Sequence, residues 1–158
     1  MTSTATTAHA FKAAFVTGIK ALFASDDQVL VSFGHPGGEA LAKYDDAIGF
    51  ADLRVEQDAA TLGTNRSREE VLTLTVWISS FKQGDDAREI EAAARAYALL
   101  AAVEHYARQT DTTIGGTVRE CFLTAHQSNG ETDERLLANG RTIEIEATFT
   151  AKARVTGP

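Results

Sequence analysis

The sequence predicts an α+β fold: a largely antiparallel or mixed β-sheet with two main α-helices packed on it, in a single domain. Three observations predict this fold. The length of 158 residues is typical of one domain. The 44% hydrophobic and 23% charged content is that of an ordinary globular chain. The strand patterns come in runs, with helical patterns between the runs, and this order favours the α+β class.

The first element is a helix, which follows a flexible N-terminus of residues 1–6. Its apolar residues recur three or four positions apart and therefore share one stripe: Phe11, Phe15, Ile19 and Leu22. The helix ends at Ser25–Asp27, and Gln28–Phe33 is predicted to be a short buried strand. Three glycines and a proline then make Gly34–Gly38 a loop, because such a cluster cannot continue a strand ladder.

The middle of the chain carries two strand patterns joined by a polar loop. Between Ile48 and Gln57 apolar and charged residues alternate, which is typical of a strand with one face in water. Asp58–Arg68 is predicted to be an exposed loop, and Glu69–Phe81 is the strongest strand. One face of that strand is apolar and is assigned to the core: Leu72, Leu74, Val76 and Ile78. The opposite face is mixed, which predicts partial cover by a helix or by a neighbouring subunit.

The longest helix, Ile90–Arg108, is rich in alanine, the best helix former. Asp86 is predicted to be its N-cap, and Glu89 completes a capping box. The residues expected to face the core form one widened stripe: Ile90, Ala94, Tyr97, Leu99, Leu100, Ala101 and Val103. Because small alanines let a helix lie close to a sheet, we expect this helix to pack centrally against it.

The sequence of the C-terminal third predicts two or three further strands. Thr117–Ala125 is the first of them, and the polar segment His126–Glu134 follows it. Asn139 and Gly140 are predicted to form a hairpin turn, because both tolerate positive φ. The last strand alternates strictly, and its inward face is apolar: Ile143, Ile145, Ala147, Phe149, Ala151 and Ala153. Its outward row carries charged residues, which are expected to protect an edge of the sheet.

Charge and cysteine content exclude several classes of protein. The formal net charge of −7 is opposite in sign to that of a free nucleic-acid-binding module. A single cysteine excludes a disulfide framework, and with four scattered histidines it does not supply a structural zinc site. No apolar run approaches the ~20 residues that a bilayer requires, and the N-terminus lacks a secretory pattern. We therefore expect a soluble protein that is made in a cytoplasm and has no membrane partner.

No group of residues forms a catalytic motif. Cys121 lies inside a predicted strand and is interpreted as a buried thiol. Gly34–Gly38 lacks both the Gly-Lys-Ser/Thr ending of a phosphate loop and a following helix. An acidic cluster at the start of the long helix is interpreted as solvated rather than as a metal site: Asp85, Asp86, Glu89 and Glu91. The sequence predicts no enzyme activity, no catalytic residues, no cofactor and no metal.

Dispersed segments between Ala8 and Arg154 carry a resemblance to a known family. They are Val29–Gly34 followed by Pro36, Val55–Gln57, Leu62-Gly63, Glu69-Glu70, Arg95–Leu100, Gly115–Arg119, Gly140-Arg141 and Ala151–Arg154. On these segments the chain resembles the tail terminator, or tail completion, proteins of long-tailed bacteriophages.

The resemblance implies a structural function rather than catalysis. It implies a hexameric ring that caps the last ring of tail-tube protein, stops its polymerisation and docks the tail onto the head connector. The implied partners are further copies of the chain, the major tail tube protein and the head-tail connector or stopper protein. The resemblance also implies that genome DNA passes through the lumen of the ring without specific binding. The implied location is the head-proximal end of the tail in the virion, after synthesis in the bacterial host cytoplasm.

The contact residues are predicted from the chain itself, because no family motif fixes them. Trp77 and Phe81 on the mixed face are candidate interface anchors, and core packing under a helix is the open alternative for both. The full predicted subunit or partner interface is Trp77, Phe81, Leu62, Arg66, Arg68, Glu144 and Glu146.

Two other functions stay open at this point. One is another neck protein, either a head-completion (stopper) protein or a tube protein. The other is a small-molecule-binding or enzymatic α+β domain, which a deep apolar pocket with converging polar groups would favour.

Overall fold

The computed structural model describes residues 3–60 and 66–156. Three α-helices are present in these residues: α1 (Ala8–Leu22), α2 (Gly38–Leu41) and α3 (Ala87–His105). Five strands are present in the same residues: β1 (Val29–Ser32), β2 (Asp46–Ala59), β3 (Arg68–Lys82), β4 (Glu120–Ser128) and β5 (Arg141–Val155). A π-helical turn at Tyr106–Thr110 extends α3, and a 3-10 turn at Glu134–Leu136 precedes β5.

The five strands form one mixed sheet in the order β1-β2-β3-β5-β4. β1 pairs in parallel with β2, and the other three pairs are antiparallel. The predicted α+β class with a largely antiparallel, mixed sheet is confirmed. The prediction that the last strand protects an edge is wrong, because β5 lies between β3 and β4 and the edge strands are β1 and β4.

The core lies on one face of the sheet, against which α1 and α3 pack. The four β3 residues assigned to the core, Leu72, Leu74, Val76 and Ile78, are fully buried, as predicted. Phe15 of α1 lies at the centre, with its ring centroid 5.2 Å from that of Phe50 and 5.4 Å from that of Phe149. The inward residues of β5 are buried as predicted: Ile143, Ile145, Ala147, Phe149, Ala151 and Ala153.

The buried stripe of α3 differs from the predicted one. Its buried residues are Ala92, Ala96, Leu99, Leu100 and Val103. The predicted core residues Ile90 and Tyr97 are 77% and 42% exposed, and Ala94 and Ala101 are exposed too. The two buried alanines explain the difference, because they form the side on which the helix approaches the sheet closely, and this orientation turns Ile90 outward. In α1, likewise, Leu22 is exposed.

The predicted capping box at the start of α3 is wrong. Asp86 has helical backbone angles and makes no side-chain cap hydrogen bond. The Glu89 carboxylate instead accepts a hydrogen bond from the backbone N–H of Thr132. The Thr132 hydroxyl in turn accepts from the backbone N–H of Thr142, at 3.0 Å. Glu89 therefore holds the connection between β4 and β5 against the helix start.

Two connections in the N-terminal half also differ from the predictions. A single-turn helix, α2, follows the glycine cluster directly, so the expectation that no helix follows Gly34–Gly38 is wrong. β2 continues to Ala59 and β3 begins at Arg68, which makes the connection between them shorter than the predicted loop Asp58–Arg68.

The strand before β5 begins and ends later than predicted, at Glu120–Ser128. The Asp111 carboxylate explains the late start, because it accepts hydrogen bonds from Thr113 and from the backbone of Gly115 and so holds a turn there. The hairpin predicted at Asn139-Gly140 is wrong. β5 pairs with β4, which ends at Ser128, and the residues before Asn139 form a 3-10 turn instead of a strand.

Two polar clusters, each built around a buried carboxylate, attach helices to the sheet. In the first, Arg95 of α3 binds the buried Asp46 carboxylate of β2 (Nε–Oδ2, 2.8 Å) and the Asp26 carboxylate (Nη2–Oδ2, 2.9 Å). Ser80 donates to the other Asp46 oxygen at 2.7 Å. In the second cluster, the fully buried Glu70 of β3 accepts hydrogen bonds at the start of α1, including one from the backbone N–H of Thr7 at 2.8 Å.

Ser3 and Thr6, in the segment predicted to be flexible, also make hydrogen bonds. Thr6 Oγ1 donates to Glu70 at 2.6 Å, and Ser3 forms an isolated bridge with Val155 of β5. Among residues 3–60 and 66–156, no helix combines the length and the hydropathy needed to cross a membrane.

Candidate subunit interface

The sheet face opposite α1 and α3 is the candidate interface, and we call it the open face. Strand alternation places the odd-numbered residues of β3 on it, paired with even-numbered residues of β5. These β3 side chains are half-buried, in contrast to the fully buried residues between them. The predicted mixed face of β3 is therefore this open face, and neither α1 nor α3 packs on it.

A groove crosses the open face at the end where β3 finishes. Its floor contains Trp77, Ser79 and Phe81 of β3, and its volume is about 700 Å³. One wall comes from α2 and the residues after it, including Leu41 and Tyr44. The opposite wall contains Leu136, Asn139, Thr142 and Glu144. A second hollow of about 430 Å³ adjoins the groove and shares three lining residues with it: His35, Trp77 and Glu144.

Gly140 shapes the groove beside Phe81. Its φ of +142° is a conformation that residues with a side chain rarely adopt. A Cβ at this position would lie 2.6 Å from Cε2 of Phe81 and 2.6 Å from the backbone oxygen of Lys82. Only glycine lets the backbone pass this close to the Phe81 ring. Gly140, which predicted a hairpin turn in the sequence, is therefore needed for this close packing against Phe81 and Lys82 instead.

The groove end of the open face is acidic. Glu146 is the cross-strand neighbour of Trp77, and Glu144 is that of Ser79. No lysine or arginine is among the described residues that line the groove and the hollow. Arg141, at the start of the same strand, donates to the backbone oxygens of Leu137 and Gly140. Two carboxylates therefore stand beside an indole ring without a salt bridge to another described residue.

The opposite end of the open face has a different character, because its charges are largely paired. Glu69 forms salt bridges with Arg119 and Arg154, and Lys152 forms one with Glu120 at 3.3 Å. Arg66 and Arg68 are exposed beside this end, Arg66 just before β3 and Arg68 at its first position, on the side of the strand that faces the helices. We call these two arginines the basic tip.

The structure brings together four of the seven predicted interface residues. Trp77, Phe81, Glu144 and Glu146 share the groove end of the open face. Arg66 and Arg68 lie at the other end of β3, nine strand positions from Trp77 in the case of Arg68, which corresponds to about 30 Å. Leu62 lies outside the described residues.

Sequence reasoning missed the groove walls. Leu41, Tyr44, Leu136 and Asn139 come from connections whose positions depend on tertiary packing. The one residue of the groove wall that the sequence could have indicated was His35, which lies in the Gly34–Gly38 loop next to a predicted strand. Its ring centroid is 6.3 Å from that of Trp77.

The residues considered for chemistry are dispersed. Burial raises the pKa of the Cys121 thiol to about 12, which makes it inert at neutral pH, in agreement with its interpretation as a buried thiol. His9 lies beside Phe33, and His126 lies beside Tyr97. Within residues 3–60 and 66–156, no three His, Cys, Asp or Glu side chains are grouped so that they could hold a metal ion.

Comparisons with known proteins show a likeness to a solved structure. No protein-family model matches the chain, and no curated protein matches it. Among solved structures, a chain from the virion of a native gene transfer agent (GTA) particle is similar, with a TM-score of 0.51 and 17% sequence identity. The match covers 92% of this chain and 94% of that chain. This chain therefore shares, over nearly its whole length, the fold of a chain from a gene transfer agent virion.

Proposed function

We propose that this chain is a structural virion protein, a tail terminator that caps the tail tube of a phage-type particle as a hexameric ring. The observation that carries the proposal is the fold shared with a gene transfer agent virion chain over 92% of this chain. The dispersed sequence segments that resemble tail terminators support the same function independently of the fold.

The open face supplies what a ring requires. A ring needs each subunit to present two different surfaces, because a contact between identical surfaces closes into a dimer. The two ends of the open face differ in shape and charge: one is a groove with an aromatic floor and free carboxylates, and the other carries paired charges and adjoins the basic tip at the start of β3. The half-buried β3 side chains between them are available for burial by a neighbouring subunit.

A ring of this kind stops tube growth through its two unlike sides. A tube elongates because every added ring presents again the surface to which it was itself added. A terminator ring binds that surface on one side and presents a different surface on the other. Its partners are the major tail tube protein on one side and the head-tail connector or stopper protein on the other, at the head-proximal end of the tail.

The experiment compares particles assembled with and without this protein. Without it, we expect tubes of irregular and excessive length and no attached heads in negative-stain images. Gold-labelled protein is expected only at the head-proximal end of normal tails. Label on tail-less heads would indicate a stopper protein, label along the tube would indicate a tube protein, and normal tube length without the protein would contradict the proposal.

The groove itself favours a second candidate, a small-molecule-binding domain. Its volume of about 700 Å³ falls within the range of about 300–1,000 Å³ that is common for ligand pockets. The same comparison of particles separates the two functions, since a protein that only binds a small molecule leaves tube length and head attachment unchanged.

The charge of the chain leads to a prediction about DNA. Each subunit carries a formal charge of −7, and a lumen with few basic residues repels a duplex over about 8 Å at physiological salt. We therefore expect no duplex binding in low-salt gel shifts, and a lumen in which acidic residues outnumber basic ones in a cryo-EM map of the capped tail. A sub-micromolar duplex affinity at physiological salt, or a lumen lined by Lys and Arg, would contradict this prediction.

A further inference from the structure

The two ends of β3 are complementary in charge and composition. The groove end presents Glu144 and Glu146 beside Trp77, with no lysine or arginine among its described lining residues. The start of β3 presents the basic tip, Arg66 and Arg68, which projects beyond the end of the sheet, and neither arginine forms a salt bridge with another described residue. Among the described residues, one end therefore presents carboxylates without a basic partner, and the other end presents guanidinium groups without an acidic partner.

The two ends cannot meet within one subunit. Both lie along β3, a strand of one continuous sheet, and about 30 Å separates Arg68 from Trp77. That distance exceeds the reach of an arginine side chain several times. A groove filled by this tip must therefore be filled by the tip of another copy.

The groove has the chemistry that binds a guanidinium group. An arginine can stack on an aromatic ring while its planar fork donates to carboxylates beside that ring. Trp77 lies on the groove floor, with Glu146 directly across the strand pair and Glu144 two residues away on β5. Tryptophan and arginine are also the residues most often found at the energetic centre of protein interfaces.

We propose that the groove of one subunit receives the basic tip, Arg66 and Arg68, of the next subunit. The contact joins unlike surfaces, so it is directional and repeats from copy to copy until the ring closes. This inference rests on the proposed ring, and it adds which two surfaces form the ring contact. The groove then belongs to the contact between subunits, and the tube and the connector bind elsewhere on the ring.

A charge-swap experiment tests the contact. One variant reverses the tip (R66E and R68E), one reverses the groove (E144K and E146K), and a third combines all four changes. Ring assembly is measured by mass photometry, and on purified tail tubes for any form that is monomeric in solution. We expect each two-site variant to assemble more than about a hundredfold less readily, because like charges then face each other. The four-site variant should recover assembly to within about tenfold of the natural chain.

Matched controls carry two charge reversals on α3 and the π-helical turn that extends it, away from the open face. R88E with R108E is the control for the tip, and E91K with E104K is the control for the groove, since all four side chains are exposed and form only surface pairs. Both controls should assemble as the natural chain does. Circular dichroism and thermal unfolding verify that every variant is folded.

Trp77 gives a second readout, because it is the only tryptophan in the chain. Its emission should shift to shorter wavelength on assembly, as a neighbouring tip excludes water from the indole, and the tip-reversed variant should keep the monomer spectrum. Rings that form unchanged in all variants would overturn this contact and leave the proposed function intact. Loss of tube binding in the groove variant alone would also overturn it, whereas normal tails without any ring of this protein would overturn both proposals.

Discussion

Replacing Arg95 with alanine is expected to lower the free energy of unfolding by about 3–5 kcal/mol. Its guanidinium group is the cationic partner of Asp46, a carboxylate that is only 3% exposed, at 2.8 Å. Without Arg95 that carboxylate stays buried with one hydrogen bond, from Ser80, to stabilise its charge. The variant also loses the link from α3 to Asp26 in the turn before β1.

The matched control is Arg88→Ala on the same helix. Arg88 pairs with Glu91 at 2.7 Å, but both side chains are about half exposed and water screens the pair, so its removal should cost far less than the removal of Arg95. Combining Arg95→Met with Asp46→Asn should restore most of the loss, because no charge then remains buried. Urea unfolding of the four proteins measures these differences. Equal effects of Arg95→Ala and Arg88→Ala would show that the buried pair contributes no more than a surface pair.

Replacing Glu70 with alanine is expected to cost about 3 kcal/mol, since several donors lose their shared acceptor. The carboxylate accepts hydrogen bonds from Thr6, from the backbone and hydroxyl of Thr7, and from Gln57, all between 2.6 and 3.1 Å. Its neighbour Glu69 forms only partly exposed pairs with arginines, so Glu69→Ala should cost less than about 1 kcal/mol. Equal losses for the two alanine variants would contradict this assignment.

The same residue predicts a dependence of stability on pH. Burial raises the pKa of Glu70, but hydrogen bonds from Thr6, Gln57 and Thr7 lower it more, and the net pKa lies below its usual 4.5. A carboxyl group whose pKa is lower in the folded state stabilises the fold above its unfolded pKa. That stabilisation is lost as the pH falls from about 4.5 through the folded pKa. Unfolding measured between neutral and acidic pH should therefore show a shallower decline for Glu70→Gln than for the natural chain.

The strands were the most predictable part of this fold. Alternation along β3 and β5 is strict, and a period of two assigns every side chain to a face without knowledge of the partner strands. The stripe of α3 was not predictable in the same way. In an alanine-rich helix the apolar residues surround the axis, so hydrophobicity favoured Ile90, whereas close approach to the sheet selected Ala92 and Ala96.

The candidate interface was predictable to the same extent as its strands. Trp77 and Phe81 share a face by alternation, and Glu144 and Glu146 share one for the same reason. What the sequence lacked was the register that places Glu146 opposite Trp77, and the packing that brings Tyr44 and Leu136 to the groove walls. Register and wall positions are long-range properties, set by contacts between segments that are far apart in the chain.

The interior position of β5 has a consequence for how the protein folds. β3 and β4 do not pair with each other and are joined only through β5, which leaves the ribosome after the other four described strands. Until residues 141–155 emerge, the backbone N–H and C=O groups on one edge of β3 have no partner strand. This unpaired edge makes the nascent chain prone to pairing with other chains. Closure of the sheet then depends on contacts of long sequence separation, which form slowly. A chain cut before β5 loses the strand that joins β4 to the rest of the sheet.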